Sequence, residues 1–279
     1  DFEDFSRELP GKAEEIKKRM EALSPDIVIG MKYLYSNMPY SDVGNYTFDT
    51  YLDYVQQGIY LWENSPYVKN YPELYFLNYV LFHRTNDEEI KPCRTYFWKK
   101  IKDKVQGKAM VEAALEINHW CAGEVMYQGT DMRTGSALEI YRSGVGRCGE
   151  EAVFVVNVMR SAGIPARPVY VPRWSHCDDN HAWVEVWCDG DWHYLGACEP
   201  EAVLDKGWFT NAASRAMMIG SRWYDRAMPD EKVIGKDGMN RIINLLGKYA
   251  KTRWITITVE DLDGTPAAGA KVRAEVMNY

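Results

Sequence analysis

Cys148 is the residue whose neighbours best equip it for covalent chemistry. It stands in Ser143-Gly144-Val145-Gly146-Arg147-Cys148-Gly149-Glu150, a glycine-broken loop that runs directly into an apolar helical pattern. A thiol at a helix N-terminus meets the positive end of the macrodipole and unpaired backbone N–H groups, which favour thiolate and suit a developing oxyanion. Gly146 and Gly149 keep the backbone there open to a substrate carbonyl. A thiolate nucleophile needs a base within hydrogen-bond reach, and the chain has 5 histidines. His83 and His119 fall in predicted helices, and His193 lies on a strand between Trp192 and Tyr194. His181 opens a strand after the polar loop 175–180, 33 residues beyond Cys148, which leaves room for one helix, one strand and a return. The plain alternatives are an inert cysteine and a loop histidine held by local hydrogen bonds. A metal site built from His176, Cys177, His181 and Cys198 has a spacing that matches no usual zinc pattern, so neither a metal nor a cofactor is expected.

The elements that must position this pair divide the chain in three. Residues 6–23 are charged and helix-favouring, and Thr47 or Asp49 can cap a helix that continues through residue 55. Pro72 suits the first position of a strongly apolar helix over 74–82. Residues 96–101 are amphipathic, and 110–120 place Val111, Ala114, Leu115 and Trp120 near helical spacing. The Cys148 loop feeds a helix over 150–162 that stops at Gly163-Ile164-Pro165. Strands are expected at 166–171, 181–187 and 192–195, the last two joined at an Asp189-Gly190 turn. Past Trp208 the pattern reads as loop and short helix up to Leu245. Alternating strands at 254–259 and 271–276 flank a turn at 263–266; since two strands alone make no stable sheet, they are expected to begin a β-sandwich that continues beyond this chain. The fold class is therefore α+β, with a helical subdomain over 1–108, a catalytic core over 109–250 and the first sandwich strands over 251–279.

Composition narrows the function. With 279 residues, 33 Lys+Arg against 40 Asp+Glu and a net charge of −7, the surface is not built to neutralise phosphates, and no nucleic-acid partner is expected. Neither a transmembrane run nor a signal peptide is visible. The missing initiator Met is the mark expected of a trimmed chain whose export signal has been removed. The 6 cysteines contain no C-x-x-C pair, and a disulfide among Cys177, Cys188 and Cys198 stays open. Aromatic content of 13% fits either a ligand groove or the packing of a large helical half.

The loop around Cys148, the run Val158-Met159-Arg160-Ser161-Ala162-Gly163-Ile164-Pro165-Ala166-Arg167, and Asn180-His181-Ala182-Trp183-Val184-Glu185-Val186 together resemble the transglutaminase-like core. That superfamily holds transglutaminases, peptide N-glycanases and bacterial thiol peptidases, and the likeness covers roughly residues 110–210. The helical front and C-terminal strands further resemble secreted bacterial members with an immunoglobulin-like appendage. The resemblance implies a papain-like arrangement in which Cys148 is the nucleophile, on a helix packed against an antiparallel sheet, and His181 the general base. It also implies an Asp four residues after Trp192, where this chain has Gly196. Glu199 is the candidate replacement: the register that pairs Cys188 with Asp191 puts Cys198 opposite His181 and Glu199 beside it. A second oxyanion donor is expected from Asn118, His119 or Trp120, a choice the sequence leaves open. Trp183 and Trp187 share a strand face with His181 and either wall a substrate groove or pack beneath it.

The function expected is thiol acyl transfer on peptide or carboxamide bonds, with hydrolysis favoured over amine crosslinking, and with a peptide, protein or glycopeptide substrate met outside the cytoplasm or at the cell surface. The alternative is a degenerate module that binds peptide or carbohydrate without catalysis.

Overall fold

The computed structural model describes residues 1–131, 133–238 and 240–273. The charged N-terminal stretch forms two helices instead of one, α1 (Phe2–Glu8) and α2 (Pro10–Met20). Pro10 lacks an N–H and drives Leu9 out of the helical region, to φ −130°. Then follow α3 (Pro25–Asn37), α4 (Tyr40–Asn45), α5 (Phe48–Asn64) with Thr47 as N-cap, and α6 (Glu73–Phe76), which Pro72 caps instead of opening. The apolar run expected to continue as α-helix widens into a π-helical turn over Leu77–Leu81. Buried arginines take up the carbonyls at its end: Arg94 donates to Val80 O and Phe82 O, and Arg160 to Phe82 O. Helices α7 (Arg94–Val105) and α8 (Met110–Glu124) complete the helical half.

One buried ionic knot ties this half together. Asp42 on α4, 1% exposed, accepts from Arg84 Nε at 2.7 Å and from Arg84 Nη2, and lies 3.0 Å from His83 Nε2. These hydrogen bonds and the guanidinium charge outweigh burial and hold the Asp42 carboxyl down at about 2. Burial meanwhile pushes His83 down to about 4, so the imidazole is neutral at physiological pH.

The rest of the chain builds the site. β1 (Met126–Tyr127), α9 (Ala137–Ser143) and β2 (Val145–Gly146) lead into α10 (Cys148–Ser161). β3 (Ala166–Val171), β4 (His181–Cys188) and β5 (Asp191–Leu195) come next, then the short helix α11 (Thr210–Ala213). The segment expected to be loop past Trp208 contains β6 (Gly220–Trp223), β7 (Val233–Asp237) and β8 (Asn240–Asn244), ahead of α12 (Leu246–Tyr249). These strands are short, glycine-interrupted and bulged between Val233 and Gly235, so their alternation is too weak to read. Among the described residues the result is a six-stranded antiparallel sheet in the order β5-β4-β3-β6-β8-β7.

α10 packs on β3 and β4, and every residue from Glu150 to Ser161 is buried. Strand alternation separates the two faces. Val184, Val186 and Cys188 join the core around α10, whereas Trp183, Val169 and Val171 pack with Phe209, Ile219 and Trp223 behind the sheet. The expected C-terminal strand pair does not form over residues 254–259: Trp254, Ile255 and Ile257 are exposed, and the only pairing among described residues there is a bridge between Glu260 and Pro266. Among the described residues their alternation has no partner strand, and residues 274–276 of the second expected strand lie outside the described residues. Among the described residues no helix is long and apolar enough to cross a membrane.

Asp42→Ala leaves Arg84 and His83 buried without their shared acceptor. It should cost about 3–5 kcal/mol in equilibrium denaturation. In the native chain the stabilisation from Asp42 is complete above the ordinary carboxyl pKa of about 3.9 and is lost as pH falls through about 2. A denaturation midpoint unchanged by the substitution would refute the knot's role.

Candidate active site

The loop before α10 is fixed at both ends. Gly144 adopts φ 69°, the left-handed conformation that ends α9, and β2 then pairs in parallel with β1 through Met126 with Val145 and Tyr127 with Gly146. Arg147 is the N-cap of α10. Its backbone N–H donates to Glu150 Oε2 at 3.2 Å, and the same buried carboxylate accepts from Thr130 Oγ1 at 2.5 Å and from Gly135 N at 3.1 Å. Glu150 thereby binds the loop 130–135 to the helix start. The first turn closes through Glu150 N and Glu151 N on Arg147 O, so the N–H groups of Cys148 and Gly149 stand at the positive end of the helix, that of Gly149 turned to the Cys148 sulfur. A Cβ at Gly149 would lie 2.7 Å from Arg147 Nη1, so a larger residue there would displace the guanidinium. That guanidinium also reaches Thr134 Oγ1 at 2.8 Å.

Cys148 is the first residue of α10 and half-buried. Burial pushes its thiol above the ordinary value; backbone N–H donors from Ala182 and Gly149 and the charge of Arg147 work the other way, and Glu151 opposes them. The expectation of a ready thiolate thus yields to desolvation. The Ala182 contact places the sulfur against the start of β4, one residue from His181.

His181 is 7% exposed, with ring centroids of Trp208 at 4.6 Å, Phe209 at 5.1 Å, Trp183 at 5.9 Å and Trp174 at 6.2 Å around it. This aromatic enclosure pushes its pKa down to about 4, against the pull of Asp179. Its Nε2 is buried with no hydrogen-bond partner. At rest, therefore, the thiol at the start of α10 and the imidazole at the start of β4 are both neutral.

The β4–β5 hairpin has the expected register, from Cys188 with Asp191 to Val184 with Leu195, but the ladder ends at Leu195. Cys198, expected opposite His181, instead turns into the left-handed region at φ 57°. The turn brings Glu199 back against Gly196, with Glu199 N donating to Gly196 O at 3.2 Å. A Cβ on Gly196 would lie 2.4 Å from Glu199 Oε2 and 2.8 Å from Glu199 Cβ. The glutamate side chain fills the space that a side chain at 196 would need. Glu199 Oε1 accepts from Trp208 Nε1 at 2.9 Å, while Oε2 is buried without a partner. Trp208 therefore touches both the carboxylate and the imidazole.

Asn118, on α8 and 1% exposed, braces this turn: Nδ2 donates to Gly196 O at 2.9 Å and Oδ1 accepts from Cys198 N at 3.1 Å. Both ends of its amide are thus engaged in the fold, not turned toward a substrate. Trp120 stacks on Tyr141 at 5.9 Å and lies 6.0 Å from Phe154, within the helical core. Trp183 is fully buried beneath His181, and its Nε1 donates to Tyr249 Oη at 2.9 Å, so it supports the site from below. Trp187 lies further along β4 against Tyr75 and Trp192. All 6 cysteines are free, and among the described residues no group of three His, Cys, Asp or Glu is placed to hold a metal ion. Two residues of the site escaped sequence reasoning. Trp208 lies on a loop without periodicity, and Glu151 reads as an ordinary first-turn acid of α10.

Asn118→Ala should orphan the Cys198 N–H and leave Gly196 O only its bond from Glu199 N, costing about 1–3 kcal/mol of stability. Hydrogen exchange should show the Cys198 amide losing protection first. Retention of that protection would show that the turn holds without the brace.

No curated protein matches the chain. Among solved structures it is similar to a putative cysteine protease from Cytophaga hutchinsonii, at 18% identity and a TM-score of 0.32, over 54% of this chain and 57% of that one. The chain thus matches less than two thirds of that protein's length. Residues 99–197 match the family model of the transglutaminase-like superfamily. Asn118, Trp120, Cys148 and His181 all fall inside that span, and the chain carries a transglutaminase-like superfamily domain over residues 99–197.

Proposed function

We propose that the protein is a thiol acyl-transfer enzyme acting on peptide or carboxamide bonds, with Cys148 as nucleophile, His181 as general base and acid, and Glu199 as the carboxylate that orients His181. The observation that carries this is the seating of the Cys148 thiol at the start of α10 and against the backbone N–H of Ala182, the residue that follows His181, whose buried imidazole has an unpartnered nitrogen.

Because thiol and imidazole both rest neutral, deprotonation accompanies attack. His181 takes the Sγ proton as sulfur bonds to the carbonyl carbon, and the carbonyl oxygen becomes an oxyanion facing the backbone N–H groups at the start of α10. The C–N bond then breaks, the amine leaves with the proton from His181, and a thioester remains. Water, deprotonated by His181, hydrolyses it to acid and free thiol. The imidazolium formed on the way needs an acceptor at its second nitrogen. Glu199 Oε2, buried without a partner beside Trp208, is the acceptor that this reading assigns, since catalytic hydrogen bonds often form only once substrate is bound. Hydrolysis is favoured over crosslinking, and the substrate is a peptide, protein or glycopeptide met outside the cytoplasm; both preferences rest on the bacterial thiol peptidases that the motifs resemble.

A second reading, a binding module without catalysis, draws on Trp208, which is 63% exposed beside His181 and holds the carboxylate away from it. Acid quenching during incubation with peptide and carboxamide substrates separates the two. An acyl adduct on Cys148, absent in Cys148→Ala and reduced roughly 10²–10⁴-fold in rate in His181→Ala, supports the enzyme. Substrate binding with no adduct on Cys148 leaves the module.

For the enzyme, the acid limb of kcat/KM should fall near pH 4, where the buried imidazole becomes protonated. The same depression means that neutral His181 loses nothing in stability above its ordinary pKa of about 6.5, and that its contribution declines as pH falls through about 4. An acid limb at the ordinary imidazole value would contradict the neutral resting pair.

A further inference from the structure

Trp208 presents an aromatic ring to solvent at the imidazole end of the site, on a turn that is fastened on both sides. Before it, Asp205 N donates to Tyr194 O at 2.9 Å and Tyr194 N to Asp205 Oδ1 at 3.0 Å, which ties the chain to the edge strand β5. After it, Phe209 is fully buried, 4.7 Å from the Trp183 ring and 5.7 Å from that of Tyr194, and Thr210 N closes the turn on Gly207 O at 3.1 Å. Three contacts orient the indole itself. Its N–H donates to Glu199 Oε1 at 2.9 Å, and its ring lies 4.6 Å from His181 and, edge-on, 6.5 Å from Trp174. The polar edge of the indole is thus engaged by Glu199, and what it offers a ligand is apolar ring surface.

We propose that Trp208 is a specificity-determining residue, selecting peptide substrates with an aromatic or large aliphatic side chain on the amine side of the scissile bond. The proposal rests on the acyl-transfer reading. In that reaction the carbonyl carbon bonds to the Cys148 sulfur, the C–N bond breaks, and the departing nitrogen takes its proton from His181. The amine must therefore lie within hydrogen-bond reach of the imidazole, and its own side chain meets whatever open surface flanks His181. Of the four rings around that imidazole, Trp183 and Phe209 are fully buried and Trp174 is 3% exposed, whereas Trp208 is open. An apolar side chain laid on the indole withdraws apolar surface of both groups from water, and an aromatic one adds edge-to-face or offset stacking. Because the turn already fixes the ring, binding does not have to order it. Glycine on the amine side gains none of this, and aspartate would be brought toward the carboxylate that the same indole holds.

The test is digestion of a random peptide mixture by the whole chain, with mass-spectrometric sequencing of the new N-termini. The native protein should release Phe, Trp and Leu N-termini about tenfold more often than Gly, the discrimination that one modest apolar contact provides, with Asp rarest. Trp208→Ala should level the apolar preference while leaving the preference for the residue on the acyl side unchanged, which general damage to the fold would not do. Trp208→Phe keeps a ring without the N–H, and should retain most of the apolar preference while cutting more slowly at every site. Added amines give a second readout. An entering amine bonds to the thioester carbonyl carbon where the first one left, its proton passing through His181 to the sulfur as the C–S bond breaks. Phenylalanine amide should therefore capture more of the acyl group than glycine amide does, and the two should capture equally in Trp208→Ala.

New N-termini without apolar enrichment would overturn the proposal and leave acyl transfer in place, as would an enrichment that survives Trp208→Ala. An enrichment lost equally in Trp208→Phe would assign it to the hydrogen bond with Glu199 and overturn the role of the ring. An acyl adduct on Cys148 without new N-termini would mean that the leaving group carries no side chain, which also overturns the proposal. With neither adduct nor cleavage, the acyl-transfer reading itself fails and the proposal falls with it.

Discussion

The burial of α10 constrains everything around it. From Glu150 to Ser161 the helix has no exposed residue, so its sides are available only for packing and only its first two residues are left partly open. Helical neighbours cover it on one side and β3 and β4 on the other. The first-turn N–H groups and the thiol of Cys148 therefore arrive together at the start of β4. Glu150 holds that end in place by binding Arg147 N and two points of the 130–135 loop, which stops the first turn from fraying.

Enclosure that rigidifies the site also sets its charge. The helix terminus and Arg147 favour thiolate, yet desolvation is the larger effect on Cys148, and it dominates again at His181 inside its four aromatic rings. A group within low-dielectric surroundings keeps its charge only when a partner is aimed at it. Asp42 has such partners in Arg84 and His83 and stays ionised, whereas Cys148 and His181 lack them at rest. The same physics thus makes one buried polar cluster a structural knot and leaves another chemically poised.

The turn after β5 packs the Glu199 side chain against Gly196. Gly196 leaves a void and Glu199 fills it, because the left-handed Cys198 doubles the backbone back on itself. The geometry depends on Asn118, whose amide spans the turn from a helix almost eighty residues earlier. Trp208 then divides the two carboxylate oxygens, binding one and leaving the other buried and open.

Much of this was legible from sequence where the signal is local. The glycine-flanked Cys148, the Gly163-Ile164-Pro165 stop and the Asp189-Gly190 hairpin are short-range patterns, and the structure has α10 and the β4–β5 register where they indicate. The transglutaminase-like core follows from three motif blocks in order. Strands β6 to β8 went unseen because short, bulged segments acquire their identity only by joining an existing sheet, and the alternating 254–259 stretch shows the converse, a strand pattern with no sheet to join. The amino-acid order by itself determined which residues carry reactive atoms and which helix presents them. Their protonation, the bracing role of Asn118, the return of Glu199 to Gly196 and the placing of Trp208 against His181 were decided only by tertiary structure, because burial and long-range contact are properties of the packed chain and leave no periodic trace along it.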